Sequence, residues 1–262
     1  MNDNHSQLSR DELLGVLTHL LDTLTALPQR AGAVRRAKVA TEISAAISAL
    51  RAFETNLDPI LQPPHVLDPS DPLVVGRLIA ETLLQQPRVP LANVVPFYGS
   101  GVYALYYHGT FDAYLPASRT DTPLYVGKAN PRTPTAAEPV EQGDRLSRRL
   151  GDHKRSISRA QNLVVEDFDC RYLVVKSAWQ NTAEEYLIHR FCPVWNDQTD
   201  ICYGFGKHGD DPATRSNTRS PWDTLHPGRP WATRQGNRPY SLTTEQIKAK
   251  IAQHFVRHPP EP

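Results

Sequence analysis

Residues 101–107, GVYALYY, set three tyrosines among valine, alanine and leucine. Such a run is short and rich in strand-forming residues, and each phenol, if buried, needs a hydrogen-bond partner. LYVGKA (124–129) and FDCRYLVVK (168–176) have the same character. Between these last two lies GDRLSRRLGDHKRSISRA (143–160), where Leu146, Leu150 and Ile157 repeat at helical spacing. TAEEYLIHRFC (182–192) is a second helical stretch and stops before Pro193. The order strand, strand, helix, strand, helix predicts a small α/β (α+β) sandwich, a central three-stranded sheet flanked by helices.

The flanks read differently. Ser9 and Glu12 fit a capping box ahead of Leu13, Leu17, Leu20, Leu24 and Leu27, and Val39, Ile43, Ile47, Leu50 and Phe53 mark a second helix. Residues 1–57 are thus expected to form an N-terminal helical hairpin, either a dimerisation element or a lid on the main core. Residues 58–95 combine a proline-rich connector with a helix that starts at Asp71-Pro72 and carries Leu73, Leu78, Ile79 and Leu83. Residues 96–200 hold the strand–helix core. Residues 201–262 are rich in Gly, Pro and Trp before a last helix through Ile247, Ile251 and Phe255, and are expected to wrap that core.

Formal net charge is only +1, so any site for a polyanion has to be local. No apolar run approaches the ~20 residues of a membrane span, and no secretory leader pattern opens the chain, which predicts a cytoplasmic protein. The three cysteines, Cys170, Cys192 and Cys202, lack a C-x-x-C pair and read as buried thiols rather than a disulfide framework or a zinc site.

Local charge is concentrated on the 145–159 helix, where Arg145, Arg148, Arg149, Lys154, Arg155 and Arg159 face only Asp144 and Asp152. A basic helix is often only a solvated face. Here Arg149 and His153 stand four apart, on one helical side, and so offer a fork for phosphoryl oxygens beside a group that moves protons near neutral pH. Glu184 and Glu185 open the next helix. A carboxylate there can cap the helix, or serve as the single hard ligand that suits Mg²⁺.

Gly101-Val102-Tyr103 and Tyr125-Val126-Gly127 resemble the paired motifs that name the GIY-YIG endonuclease superfamily, with valine in place of isoleucine in each. The resemblance continues through Arg149-x-x-x-His153, Glu184-x-x-Leu187-Ile188 and the PVWN that ends at Asn196. It is closer to the type II restriction enzymes of the superfamily, where GVYALYY, YVGKA, a CRYLVV-like strand, GFG (204–206) and SPWDTLHPGR (220–229) have counterparts. That subgroup also shares the long connection from Tyr103 to Tyr125.

The resemblance implies a type II restriction endonuclease that hydrolyses double-stranded DNA at a GC-rich palindrome, as its relatives cut CCGCGG, with Mg²⁺ (or Mn²⁺ in its place). It implies that Tyr103 orients or deprotonates the water, Tyr125 positions the phosphate or hydrogen-bonds the nucleophile network, Arg149 neutralises developing charge, His153 relays a proton, Glu184 holds the metal and Asn196 braces the site. A phenol with pKa near ~10 is a poor base at neutral pH, so Tyr103 would need help from Lys128, His153 or the metal. Lys128, Arg145, Arg148, Lys154, Arg155, Arg219 and Arg229 are the expected DNA-binding residues. Arg119, Arg132, Arg215, Arg234 and Arg238 are further candidates for reading guanine. A homodimer supplies two active sites for two strands, and a DNA methyltransferase is the functional companion, not a stable subunit. Two other readings stay open: a structure-selective repair or mobile-element nuclease on the same fold, and a catalytically silent DNA-binding module.

Overall fold

The computed structural model describes residues 10–26, 33–57, 65–176, 179–206, 219–232 and 239–262. The chain divides into two compact units, Met1–Leu67 and Asp68–Pro262. The first unit holds helices α1 (Arg10–Ala26) and α2 (Ala33–Leu57). Leu14, Leu20 and Leu21 on α1, and Ile43, Ile47 and Leu50 on α2, are exposed. The expected cap at Ser9 and the turn at Pro28 lie outside the described residues.

The second unit runs α3 (Pro72–Leu84), β1 (Val89–Pro90), β2 (Gly101–Tyr107), β3 (Tyr125–Ala129), α4 (Pro139–Gln142), α5 (Arg145–Arg159), β4 (Phe168–Val174), α6 (Gln180–Phe191), α7 (Pro221–Leu225) and α8 (Thr244–Arg257). The sheet is antiparallel throughout, in the order β1-β4-β2-β3. It therefore has four strands where the sequence predicts three. The extra strand, β1, is two residues long and contains a proline, which suits only an edge. No periodicity can announce so short a strand.

All seven residues of β2 are buried because both faces of the sheet are covered. Tyr103, Leu105 and Tyr107 point to a core shared with Leu146, Leu150 and Ile157 of α5. Val102, Ala104 and Tyr106 point to the opposite core with α3 and α6, through Ala80, Leu83, Ala183 and Leu187. The period-2 alternation of a strand thus puts Tyr103, and Tyr125 on the neighbouring β3, on the side where α5 lies. Gly101 permits the β2–β4 pairing at its start, since a Cβ there would overlap the carbonyl oxygen of Leu173.

On α3 the buried side differs from expectation. Asp71 caps the helix, its side chain accepting from the Leu73 amide at 2.9 Å. But Leu73 and Leu78 are exposed, and Gly76, Ala80 and Leu83 face inward. The cause is close helix packing: a Cβ on Gly76 would meet Thr182 of α6 at 2.7 Å, so no larger residue fits at that point of the seam. No helix among the described residues is long and apolar enough to cross a membrane.

Candidate active site

The site forms where β2, β3, α5 and α6 meet at the β3 edge of the sheet. Tyr103 lies fully buried, and its hydroxyl oxygen is 2.6 Å from His153 Nε2. Arg149, one helical turn before His153, donates its Nε–H to the same oxygen at 3.3 Å. The Tyr125 ring stands 6.2 Å from that of Tyr103 and 5.2 Å from that of His153. Gly127 leaves the room Tyr103 needs, because a Cβ at 127 would run into its hydroxyl. This gives a packing reason for the glycine in YVG.

The electrostatics decide which protonation states are present. Burial drives the Tyr103 phenol well above its usual pKa, and Tyr125 adds to that push while Arg149 opposes it without prevailing. Burial likewise raises Tyr125, against Arg149. Burial weakens the Arg149 charge, but the two phenols favour it more, so its pKa is raised and it remains a guanidinium. Tyr103 is therefore a phenol at neutral pH in the protein by itself. The charge of Arg149 alone does not make it a phenolate, in line with the help expected from Lys128, His153 or the metal.

Glu184 belongs to the second turn of α6, whose first turn carries no acidic residue, so it is not a cap. Its Oε2 is 2.8 Å from Lys128 Nζ, and its side chain is 17% exposed. Its charge reaches both tyrosines, adding to the upward push on each. Glu185, by contrast, faces solvent. Among the described residues no group of three His, Cys, Asp or Glu side chains converges as a metal cage. A single part-buried carboxylate beside an open cleft suits a hard cation that takes its remaining ligands from water and phosphate, as Mg²⁺ does. That cleft, of about 270 Å³, is lined by Lys128, Asn130, Arg145, Arg148, Arg149 and Asp152.

Asn196 is buried and stands on the backbone rather than among the reacting groups. Its side chain accepts from Val126 N at 2.9 Å and donates to Val126 O at 2.8 Å. The amide replaces a neighbouring strand on the free edge of β3 and so fixes the strand that carries Tyr125 and Lys128.

The expected DNA-binding residues separate into groups. Arg145 donates Nε–H to Asn130 O at 3.3 Å at the cleft rim, and Arg148 pairs with Asp144 at 3.0 Å while remaining 63% exposed. Arg155 pairs with Asp152 on the same exposed side. Lys154 is part-buried and donates to Ala92 O, and Arg219 donates to Ala232 O at 3.0 Å.

Arg229 contradicts the expectation of a DNA contact. It is 1% exposed, paired with buried Asp223 at 2.7 Å and packed over the rings of Trp222 and Trp231. A guanidinium so enclosed cannot reach a duplex. Arg119 and Arg132 are exposed, whereas Arg215, Arg234 and Arg238 lie outside the described residues.

Phe205 has no place among the expected site residues, yet its ring stacks on His153 at 4.5 Å and 19°. Gly206 O accepts from the Arg149 guanidinium at 3.3 Å. The only signal for either was GFG as a short motif, which carries no role by itself.

Residues 95–255 match the family described as the Eco29kI GIY-YIG domain, more than half of the chain. No curated protein matches the sequence.

Proposed function

The chain belongs to the Eco29kI GIY-YIG family of restriction endonuclease domains, and from that premise we propose that it is a type II enzyme cutting double-stranded DNA at a GC-rich palindrome with Mg²⁺. The observation that carries this reading is the convergence of Tyr103, Tyr125, Arg149 and His153, from three elements, with Glu184 of a fourth beside them.

Tyr103 acts as a relay rather than a standing base. With His153 in the tautomer whose Nε2 accepts, the Tyr103 O–H would donate to it, and the phenol oxygen would take a proton from water as its own proton passes to the histidine. The positive charge of Arg149 against that oxygen limits the cost of the exchange. Arg149 also faces the cleft, where its guanidinium would stabilise charge on the non-bridging phosphate oxygens. Glu184 is the residue that would hold the metal, with Lys128 giving up its ion pair and turning to phosphate. Bound Mg²⁺ would act as a Lewis acid on the scissile phosphate and stabilise the leaving oxygen. Tyr125 positions the phosphate from β3. Arg145, Arg148 and Arg155 supply contacts that place the duplex but carry no sequence information.

One active site per chain cuts one strand, so the proposal includes a homodimer with the exposed faces of α1 and α2 as contact, and a companion methyltransferase to protect host DNA. The test is digestion of unmodified phage DNA in Mg²⁺ and in EDTA, followed by sequencing of fragment ends. Discrete fragments in Mg²⁺ alone, ending in one GC-only palindrome, are expected. A smear would mean an unspecific or structure-selective nuclease, and intact DNA a silent binding module. Ends at an AT-rich or asymmetric site would overturn the substrate while leaving the nuclease.

A further inference from the structure

We infer that Arg229 is a positioning residue for the reaction: it holds the backbone of Gly204–Gly206 so that this segment in turn fixes Arg149 and His153. The guanidinium makes three kinds of contact at once. Nε donates to Asp223 Oδ1 at 2.7 Å, one terminal nitrogen donates to Phe205 O at 3.0 Å, and the other donates to Gly204 O at 2.8 Å. Its guanidinium carbon lies over the rings of Trp222 (4.3 Å) and Trp231 (4.7 Å), so the fork has little freedom to turn. Asp223 is itself held by Ser220 Oγ at 2.7 Å.

What the fork grips leads directly to the chemistry. The Phe205 side chain stacks on His153 and meets the Tyr125 ring edge-on at 5.1 Å. The next residue, Gly206, presents its carbonyl to Arg149. A Cβ on Gly206 would stand 2.7 Å from the Tyr125 hydroxyl and 3.3 Å from an Arg149 terminal nitrogen, so the backbone passes as close to the site as a side chain could. Gly204 adopts a φ of +96°, a conformation L side chains rarely take, and a Cβ there would meet Ser220. The segment is thus shaped by glycine at both ends and anchored in the middle by one arginine. A burial this complete is costly for a cation unless it is paired and hydrogen-bonded, as Arg229 is. Stabilising a loop far from any function would not require that the loop end on a catalytic arginine and histidine.

This role rests on the nuclease reading above, and the experiment separates the two. Arg229→Lys keeps a cation for Asp223 but has one nitrogen in place of a fork, so it cannot hold both carbonyls. Wild-type protein, Arg229→Lys and Phe205→Leu are compared in single-turnover cleavage of the site found for the wild type, below their thermal transitions, with DNA affinity measured in parallel in Ca²⁺. The expected result for each variant is a cleavage rate reduced on the order of 10²-fold, as small misplacements of catalytic groups produce, with affinity within about 3-fold of wild type, a shift of about 0.65 kcal/mol. A wild type that does not cleave sinks the nuclease reading itself. If the wild type cleaves, an Arg229→Lys protein at wild-type rate overturns the positioning role. So does one whose affinity falls while its rate is unchanged, which is the behaviour of a DNA contact. Should Arg229→Lys fail to fold, Phe205→Leu decides: its ring is gone while the fork stays, and an unchanged rate overturns the role equally.

Discussion

Among the described residues two buried tyrosine–histidine pairs stand at hydrogen-bonding distance, and only one belongs to the candidate site. Tyr103 and His153 are 2.6 Å apart, Tyr114 and His226 2.5 Å, and all four residues are 0% exposed. The pairs part company at the third group on the phenol. Tyr103 accepts from the Arg149 guanidinium, which continues into the cleft. Tyr114 accepts instead from Trp195 Nε1 at 2.8 Å, a neutral donor that is itself buried, and His226 Nδ1 is closed off by Asn162 Oδ1 at 2.9 Å. A phenol beside an imidazole is thus not a site by itself. The guanidinium on Tyr103, which also lines an open cleft, sets the first pair apart.

The largest expected effect breaks the comparison on the side of chemistry. Tyr103→Phe should lower single-turnover cleavage by about 10²–10⁴-fold, the range for lost proton transfer, while DNA affinity and the thermal transition stay near wild type. Tyr114→Phe, measured per folded molecule, should leave the rate unchanged. If the two variants lost activity alike, the distinction between the pairs would be wrong.

Glu184 sharpens the contrast next. Its charge acts on Tyr103 and Tyr125, and its ion pair with Lys128 opens on the same cleft. Glu184→Ala should abolish cleavage, by at least about 10²-fold as for other groups that stabilise developing charge, and should also remove a Mg²⁺-binding signal in calorimetry. The exposed Glu185→Ala should do neither. A Glu184→Ala protein that binds Mg²⁺ and cuts normally would remove the metal from this carboxylate.

The sequence allows part of this contrast to be read and hides the rest. The motif residues of the first pair were legible because strand alternation and helix periodicity are local: Tyr103 follows Gly101 by two, and Arg149 precedes His153 by one turn. The seam of α5 was legible for the same reason, with Leu146, Leu150 and Ile157 all at 0% exposure. The second pair was not, since Tyr114 and His226 are 112 residues apart and neither lies in a periodic element that would align them. Arg229 was misread for a related cause. A basic residue in a proline- and glycine-rich stretch looks solvated until Asp223 and two tryptophans are brought around it, and only the tertiary structure does that. On α3 the large residues promised the core, but the tight approach to Thr182 gave the inner seam to Gly76 and Ala80. Expectations built on spacing held within an element and failed where packing between elements decided.

A smaller effect breaks the comparison on the side of stability. Tyr114→Phe removes the acceptor of Trp195 and the partner of His226 Nε2, leaving two buried polar groups to lose their hydrogen bonds. Each costs about 1–3 kcal/mol when unsatisfied. Denaturant unfolding of the second unit should show that loss for Tyr114→Phe, and a clearly smaller one for Tyr103→Phe, where the Arg149 guanidinium keeps Gly206 O as an acceptor. Equal losses would mean that both phenols serve the fold to the same degree.

The smallest effect is a pH dependence that belongs to the second pair. Burial holds His226 neutral, its pKa well below the usual 6.5, and the positive charges of Arg229 and Lys248 push the same way. In the unfolded chain the imidazole regains a pKa near ~6.5. Below that value the unfolded state binds a proton the folded state refuses, so stability is fully present above pH ~6.5 and falls as the pH drops through it. At pH ~5.5 the loss from one such histidine is about 1.4 kcal/mol. His254, also depressed by burial, contributes in the same direction, so the share of His226 has to be isolated. His226→Gln does this: whatever the variant costs at pH 7.5, the gap between it and wild type should narrow on acidification, because only the wild type has this proton to gain on unfolding. A gap that stays constant from pH 7.5 to pH 5.5 would show that His226 is not held neutral, and with it that Tyr114 donates to something other than a bare imidazole nitrogen.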